Sequence, residues 1–514
     1  MKNFLVFRWP ESESELDERP NIVHPIRIKF GNYNKALAEK ISRYNGLQIT
    51  YSNDFDIFWG ISPEVDTFSV FYSHQIFNHF LESRSIIGDK SSFAQIIQNH
   101  YLYDKLVDFF PKTFTLPTDS SKLYSEMRKH QNKQYICKPP RGSGGNGITV
   151  VTYKDITRIN QNSVVSEYIS KPLLIDGFKF DLRIYVLVTS FIPLRAFIYK
   201  DGFARFATNS YSDKFSPFSS LTNAQLNRRA QVYGDGVDFK WTLNEIMLEI
   251  NSRWKIAPEK IFNSIKTLVA KTLIFMQSAN CVDRSDLCTF FELFGFDIMF
   301  DSDFHPWLLE VNTSPCMGVN ESLDYGMKAP LLSRTLSIIN IPHNKTNEKI
   351  IELEDKMNEL TGSGFERLYP SKFTASLDSY LIKPRVKQIY DFSNLKHLGA
   401  SFTQSQGMSL LLHIINEMEL NLDKQVRNSN LITTRLHNFL IAQGLKTMKT
   451  VSSIRVSAKQ YLSRLNKWIS EGNEEFLIPY DIREKILSMN MKDKLTILSS
   501  CPITKVNHIE YLFN

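Results

Sequence analysis

No stretch of the 514 residues approaches the roughly 20 consecutive apolar positions that a membrane-spanning helix needs, so a soluble chain with no membrane partner is expected. Cysteine is scarce. Cys137, Cys281, Cys288, Cys316 and Cys501 form an odd set with no close-spaced ligand pair, which implies neither a disulfide framework nor a local zinc site and suits a reducing cytosol. The start is not expected to be a secretory leader, because the short apolar patch from Met1 to Arg8 runs straight into Glu11, Glu13, Glu15 and Asp17. Internal repeats, low-complexity tracts and the Walker glycine pattern are all missing. The histidines and serines show no local triad signature, and nucleophilic hydrolysis is set aside.

What is present has the balance of a folded protein, 42% hydrophobic and 22% charged. This length predicts two or three structural units plus an extension. The net charge of +7 attracts something acidic: nucleic acid, anionic lipid or an acidic protein. Composition leaves the three open, but no nucleic-acid recognition motif accompanies the charge, so no nucleic-acid partner is expected.

Along the chain, residues 1–120 read as a small α/β domain with strand-like runs such as Phe55–Trp59 and no site residue that stands alone. Phe109–Pro117 reads as a strand confined to a sheet edge by Pro111 and Pro117. From Tyr135 the pattern turns β-rich: Tyr135–Cys137, Gly147–Val151, Val164–Val165 and Phe180–Val188. Lys200-Asp201-Gly202 gives a hairpin signal. The three-and-four spacing of Ile261, Ile265, Leu268, Val269 and Met276 predicts a helix over 258–280, opened by Pro258. Strands at Phe294–Phe300 and Pro306–Val311 frame an Asp301-Ser302-Asp303 turn. Beyond 345 a helical, polar extension is expected. Nine lysines and arginines and no acidic residue fall between Lys424 and Lys467, either a docking surface or the solvated face of ordinary helices.

Several constellations could carry chemistry. Glu310 and Asn312 leave one face of a strand, and Asp297 occupies the matching place on the preceding one. Two carboxylates and an amide suit magnesium, which takes hard oxygen ligands and bridges protein carboxylates to nucleotide phosphates. Scattered acids on a surface hairpin are the alternative. Lys179, Asp181 and Arg183 alternate on one face while Leu182, Ile184 and Val186 pack behind; a solvated sheet face reads the same way. Lys138-Pro-Pro-Arg-Gly-Ser-Gly-Gly-Asn-Gly147 is a loop whose backbone amides can approach phosphate, or a plain flexible turn. Arg205 could clamp a substrate carboxylate through two parallel hydrogen bonds, or pair with a neighbour.

Leu173–Ser190 (LLIDGFKFDLRIYVLVTS), Pro193–Thr208 (PLRAFIYKDGFARFAT) and Glu292–Pro315 (ELFGFDIMFDSDFHPWLLEVNTSP) resemble the tubulin-tyrosine-ligase-like family. Asp54–Trp59, Asn78-His79-Phe80, Leu221-Thr222-Asn223, Lys240–Leu243 and Gly364–Pro370 (GFERLYP) resemble further segments in the same order, over roughly residues 50–370. The resemblance implies an α/β ATP-grasp fold in which two lobes, 121–178 and 179–345, sandwich ATP, with a small N-terminal α/β domain at 1–120 and a helical basic extension at 346–514 that would bind microtubules.

By the same resemblance, Lys138, Gly144, Gly145, Ser166, Glu167, Tyr168, Ile169, Lys179, Asp181, Thr222 and Asn223 match nucleotide-binding positions. Asp297, Glu310 and Asn312 match magnesium ligands, Arg183 and Glu310 match catalytic positions, and Arg205, Lys240, Thr313 and Lys328 match positions facing the added amino acid. The implied activity is ATP- and magnesium-dependent ligation of free L-glutamate to glutamate side chains of tubulin C-terminal tails through an acyl phosphate, by a monomer in the cytoplasm and cytoskeleton, with a cilium, flagellum or basal body left open. GFERLYP and the extension point to the polyglutamylase branch. Gly144, Ser166, Ser220 and Ala224 depart from the residues the family commonly carries there. Glycine or tyrosine ligation, a catalytically impaired microtubule-binding protein and a small-molecule ligase are the alternatives.

Overall fold

Phe178–Phe191 alternates so regularly that both of its faces are committed: Leu182, Ile184, Val186 and Val188 enter one core and Tyr185 and Leu187 the other. It is the centre of a large mixed sheet. The computed structural model describes residues 5–17, 24–31, 35–52, 54–60, 75–80, 83–100, 102–142, 145–212, 216–222, 240–279, 289–341 and 346–382. Within these the sheet runs Lys240–Thr242, Leu194–Phe206, Phe178–Phe191, Thr289–Phe300, Ile76–Asn78, Ile57–Trp59, Arg27–Phe30, Gln48–Ile49. Pro306–Asn312 adds to Thr289–Phe300, Phe365–Tyr369 to Leu194–Phe206, and Leu174–Ile175 to Phe178–Phe191.

Helices cover both faces, which is what strands apolar on both sides require. On one side lie Leu243–Trp254 and Pro258–Ala279, the latter burying Ile261, Ile265, Leu268, Val269 and Met276 as its spacing predicts. On the other lie Ala36–Tyr44, through Leu37 and Ile41, and Ser322–Ile339, through Leu332 and Leu336. No helix among the described residues is long and apolar enough to cross a membrane.

Thr289–Phe300 is shared by two neighbourhoods. Its first residues pair in parallel with Ile76–Asn78, so the N-terminal strands continue the same sheet, and its later ones pair antiparallel with Pro306–Asn312. The buried Glu292 fixes the junction: one oxygen lies 3.1 Å from His79 Nδ1 and the other accepts the Phe80 N–H at 3.2 Å.

The second sheet is antiparallel, in the order Thr113–Thr115, Val164–Glu167, Tyr135–Lys138, Thr149–Val151, with Thr113–Thr115 at its edge. Leu123 and Met127 of the helix Ser120–Lys129 close its core. Cys137 is buried there, and desolvation pushes its thiol up to about 11 against a smaller opposing effect of Thr149, whereas Cys316 is exposed. Alkylation of the native protein at pH 8, mapped by mass spectrometry, should therefore modify Cys316 well before Cys137, because the thiolate is the reactive form. Equal rates would contradict the burial.

One expected turn is misplaced. Asp201-Gly202 lies inside the continuous strand Leu194–Phe206, and the chain reverses at Ile192-Pro193 instead. Asp201 accepts the Gly202 N–H at 2.8 Å and caps the backbone of Leu243 and Asn244 at the start of a helix, while the register shifts between Ile184 and Val186. Asp-Gly thus marks a bulge, the other structure that its local hydrogen bonding favours.

The unit also continues past residue 345. Helix Asn347–Leu360 and strand Phe365–Tyr369 rejoin the large sheet through Glu354, whose fully buried carboxylate accepts from Thr189 Oγ1 at 2.6 Å, Arg195 Nε at 3.2 Å and Arg367 Nη2 at 3.0 Å. The basic cluster from Lys424 to Lys467 lies outside the described residues.

Candidate active site

The register explains how separate strands deliver one charged floor. Arg205 stands opposite Lys240 on one side and Asp181 on the other, Arg183 opposite Asp297, Asp297 opposite Glu310, and Gly295 opposite Asn312. The face that buries Tyr185 and Leu187 further along the strand becomes charged at 183, 181 and 179.

These side chains are tightly interlocked. Arg205 donates to Asp181 through Nε at 2.6 Å and Nη2 at 2.8 Å, and its Nη2 also lies 2.9 Å from Asp297 Oδ2. Arg183 donates to Asp297 through Nε at 2.6 Å and Nη2 at 3.2 Å. Thr222 Oγ1 donates to Asp181 Oδ2. Burial alone would raise the Asp297 carboxyl, but the Arg183 and Arg205 guanidiniums outweigh it and hold the group well below the usual carboxylate range.

Above the floor, the four-stranded sheet closes a cleft of about 290 Å³. Its lining combines the apolar Ile136, Ile148, Val164, Met299 and Leu308 with the charged Lys138, Lys179, Asp181, Asp297 and Glu310. That pairing suits a flat heterocycle carrying an anionic chain. Ser166, Glu167, Tyr168 and Ile169 also line it, as do Arg205, Thr222, Asn312 and Thr313. Lys179 Nζ donates to Tyr168 Oη at 3.2 Å and stands 4.8 Å from the centre of its ring. Desolvation draws the Lys138 ammonium below its ordinary value, opposed by Glu310 and reinforced by Lys90 and Lys179.

The structure sorts the remaining expected residues. Arg183 is not among those lining the cleft; its guanidinium is directed to Asp297. Arg205 does line it, but its Nε and Nη2 are engaged by the two aspartates rather than held open for a substrate. Lys240 and Lys328 lie off the cleft lining and meet on one carboxylate, with Nζ at 3.0 Å and 2.9 Å from Asp324 Oδ1, beside the Phe203 ring. Gly145 is not among the lining residues, and Gly144 and Asn223 lie outside the described residues.

Sequence reading missed Lys90. It opens the helix Lys90–Gln98, and its Nζ lies 3.3 Å from Glu310 Oε2 and donates to the Gly142 carbonyl at 3.1 Å. The available signal was Asp89, an N-cap aspartate ahead of a helical apolar spacing at Phe93 and Ile97.

For magnesium, the test is the donor set. No cluster of three or more His, Cys, Asp or Glu occurs among the described residues. Asp297, Glu310 and Asn312 nevertheless converge on one hairpin, and Asn312 commits its Nδ2 to the Gly295 carbonyl at 3.3 Å rather than its Oδ1. Two carboxylates and an amide oxygen fit a hard cation that completes its shell with water and phosphate.

The sequence pattern of the tubulin-tyrosine ligase family matches residues 69–349, more than half of the chain. The chain belongs to this family. The matched segment contains Lys90, Lys328 and the site residues between them. Tubulin polyglutamylase TTLL6 of Homo sapiens is 36% identical over 323 residues, 59% of this chain and 35% of that protein. Tubulin polyglutamylase TTLL13 of Mus musculus is 30% identical over 364 residues, 67% of this chain and 44% of that protein. Tubulin polyglutamylase ttll-4 of Caenorhabditis elegans is 29% identical over 398 residues, 69% of this chain and 65% of that protein. The chain therefore spans less than half of the two mammalian relatives.

Proposed function

We propose that this chain is an ATP- and magnesium-dependent ligase of ATP-grasp type that joins free L-glutamate to glutamate side chains of tubulin C-terminal tails, acting in the cytoplasm on the cytoskeleton. The observation that carries the reading is the convergence of Asp297, Glu310 and Asn312 from two paired strands on a cleft lined by both apolar and charged side chains. Membership of the tubulin-tyrosine ligase family and relatives named tubulin polyglutamylases support the choice of glutamate and tubulin.

Ile136, Ile148, Val164 and Met299, which line the cleft, would hold the base of ATP, with Ser166–Ile169 along its edge. Lys138 and Lys179 hold the phosphates as point charges. Magnesium, when bound, neutralises phosphate charge and orients the terminal group for in-line attack. A tail carboxylate oxygen attacks the γ-phosphorus, ADP leaves, and an acyl phosphate results. The glutamate amine then attacks the acyl carbon, losing a proton and expelling phosphate as the amide forms.

Asp297, kept ionised by Arg183 and Arg205, and Glu310 supply the fixed negative oxygens of that site. Arg183 thus acts through Asp297 as a positioning residue, which modifies the catalytic role the resemblance implies. Thr313, with the remaining edge of Arg205, would face the incoming amino acid, whereas Lys240 and Lys328, paired with Asp324 off the cleft lining, would act on it only through that carboxylate. The test is incorporation of labelled glutamate, glycine or tyrosine into purified microtubules with magnesium and ATP. Glutamate incorporation is the expected result; glycine or tyrosine alone would overturn the amino acid, and none of the three would overturn a tubulin ligase.

A further inference from the structure

Pro140–Gly142 follows Lys138 in the four-stranded sheet, yet it is fastened to a helix rooted in the other core. Helix Lys90–Gln98 packs Phe93 and Ile97 into the core of the large sheet. The Lys90 backbone N–H donates to the Pro140 carbonyl at 3.0 Å, Lys90 Nζ donates to the Gly142 carbonyl at 3.1 Å, and Arg141 Nε donates to Asp89 Oδ2 at 3.0 Å.

Asp89 has two tasks, one for each oxygen. Oδ1 caps the helix by accepting from the backbone of Ser91 at 3.1 Å and Ser92 at 3.0 Å. Capping needs only one side-chain acceptor, so the charge and Oδ2 remain for Arg141. The Asp89 side chain is 11% exposed and that of Arg141 80%, and among the described residues Arg141 meets no other carboxylate. Neither residue lines the cleft, whereas Lys90 and Gly142 both do.

We propose that Asp89 and Arg141 form a clamp that holds Pro140–Gly142, where the glycine loop begins, in place before the nucleotide arrives, making both positioning residues for its phosphate end. This rests on the nucleotide-binding reading above. Gly142, Gly145 and Gly147 hold φ of +137°, +78° and +73°, a region open chiefly to glycine, so an untethered loop has wide conformational freedom. Ordering that freedom at the moment of binding weakens affinity; a loop already fastened avoids part of the loss. The same fastening holds Lys90, whose ammonium faces Glu310 at 3.3 Å.

Asparagine caps helices about as well as aspartate, so Asp89→Asn removes the charge while keeping the cap. The experiment measures, for wild type, Asp89→Asn, Arg141→Gln and the double variant, the Kd of magnesium with the β,γ-imido analogue of ATP, the KM for ATP and kcat in glutamate transfer, and the melting temperature. Each single variant should weaken nucleotide binding about 3- to 5-fold, with KM rising in parallel and kcat and melting temperature held. The double variant should be no weaker than either single one, and the differences should vanish in 1 M salt, where exposed charges are screened.

Unchanged affinity in Asp89→Asn, or additive losses, would overturn the clamp. An Arg141→Gln loss far beyond that of Asp89→Asn would mean that Arg141 touches the nucleotide itself, and a melting temperature falling with the affinity would reduce the pair to helix stability; either outcome overturns it. A wild-type protein that binds no nucleotide would remove the underlying reading and the clamp with it, an outcome distinct from normal binding in every variant.

Discussion

Replacing Glu310 by glutamine should abolish glutamate incorporation into microtubules while leaving the protein folded. The substitution keeps the shape of the side chain and removes only its charge. Glu310 lies at the cleft, about a quarter exposed at 27%, with its carboxylate 3.3 Å from Lys90 Nζ and opposite Asp297 in the register. A preorganised charge in such a site is worth about 2.7–4 kcal/mol of barrier, or roughly 10²- to 10³-fold in rate, and a glutamine oxygen is a far poorer ligand for a hard cation. Initial rates at saturating ATP test this, with melting temperature as the control for folding. Activity within tenfold of wild type would remove Glu310 from the chemistry, whatever the amino acid transferred.

The largest loss of stability should come from a residue distant from the cleft. Glu354 is wholly buried and gathers Thr189, Arg195 and Arg367, and Arg367 in turn lies over the Phe197 ring at 4.2 Å. Glu354→Ala leaves two guanidiniums facing no carboxylate at that position. Breaking a buried ion pair by removing one partner costs about 3–5 kcal/mol, because the surviving charge has left water without compensation. Desolvation already lowers the Arg195 pKa, with Glu354 as the main opposing influence. The urea midpoint should fall accordingly, and a loss under about 1 kcal/mol would contradict the account. Replacing both Glu354 and Arg195 with apolar residues should recover part of the loss, since it is the unpaired charge that is costly.

What could be read from the sequence was whatever depends on neighbours in the chain. The strands around Asp301-Ser302-Asp303 were legible from alternation and turn chemistry, and with them the placement of Asp297 opposite Glu310. The helix Pro258–Ala279 was legible for the same reason. Asp201-Gly202 was misread because a bulge and a hairpin make the same local demand, and only the distant Leu243–Asn244 backbone decides between them. For Arg205 the sequence left a substrate clamp and pairing with a neighbour both open, because pairing with Asp181 and Asp297 is settled by the alignment of three strands, which no spacing within one strand reveals. Lys90 was invisible because its partner stands 220 positions later in the chain. Phe365–Tyr369 was placed in an appended domain by the polar composition around it, yet a five-residue strand needs only a free sheet edge to join.

The strand Thr289–Phe300 ties residues 213 positions apart, His79 to Glu292, within one small neighbourhood. During synthesis, then, the parallel strands near the N-terminus wait with an open edge until most of this unit has left the ribosome. Closing so long a loop is entropically slow, and an exposed edge is where chains pair with the wrong partner. A chain stalled before residue 289 would lack Asp297 and Glu310 and would leave Ile76–Asn78 without the strand it pairs with.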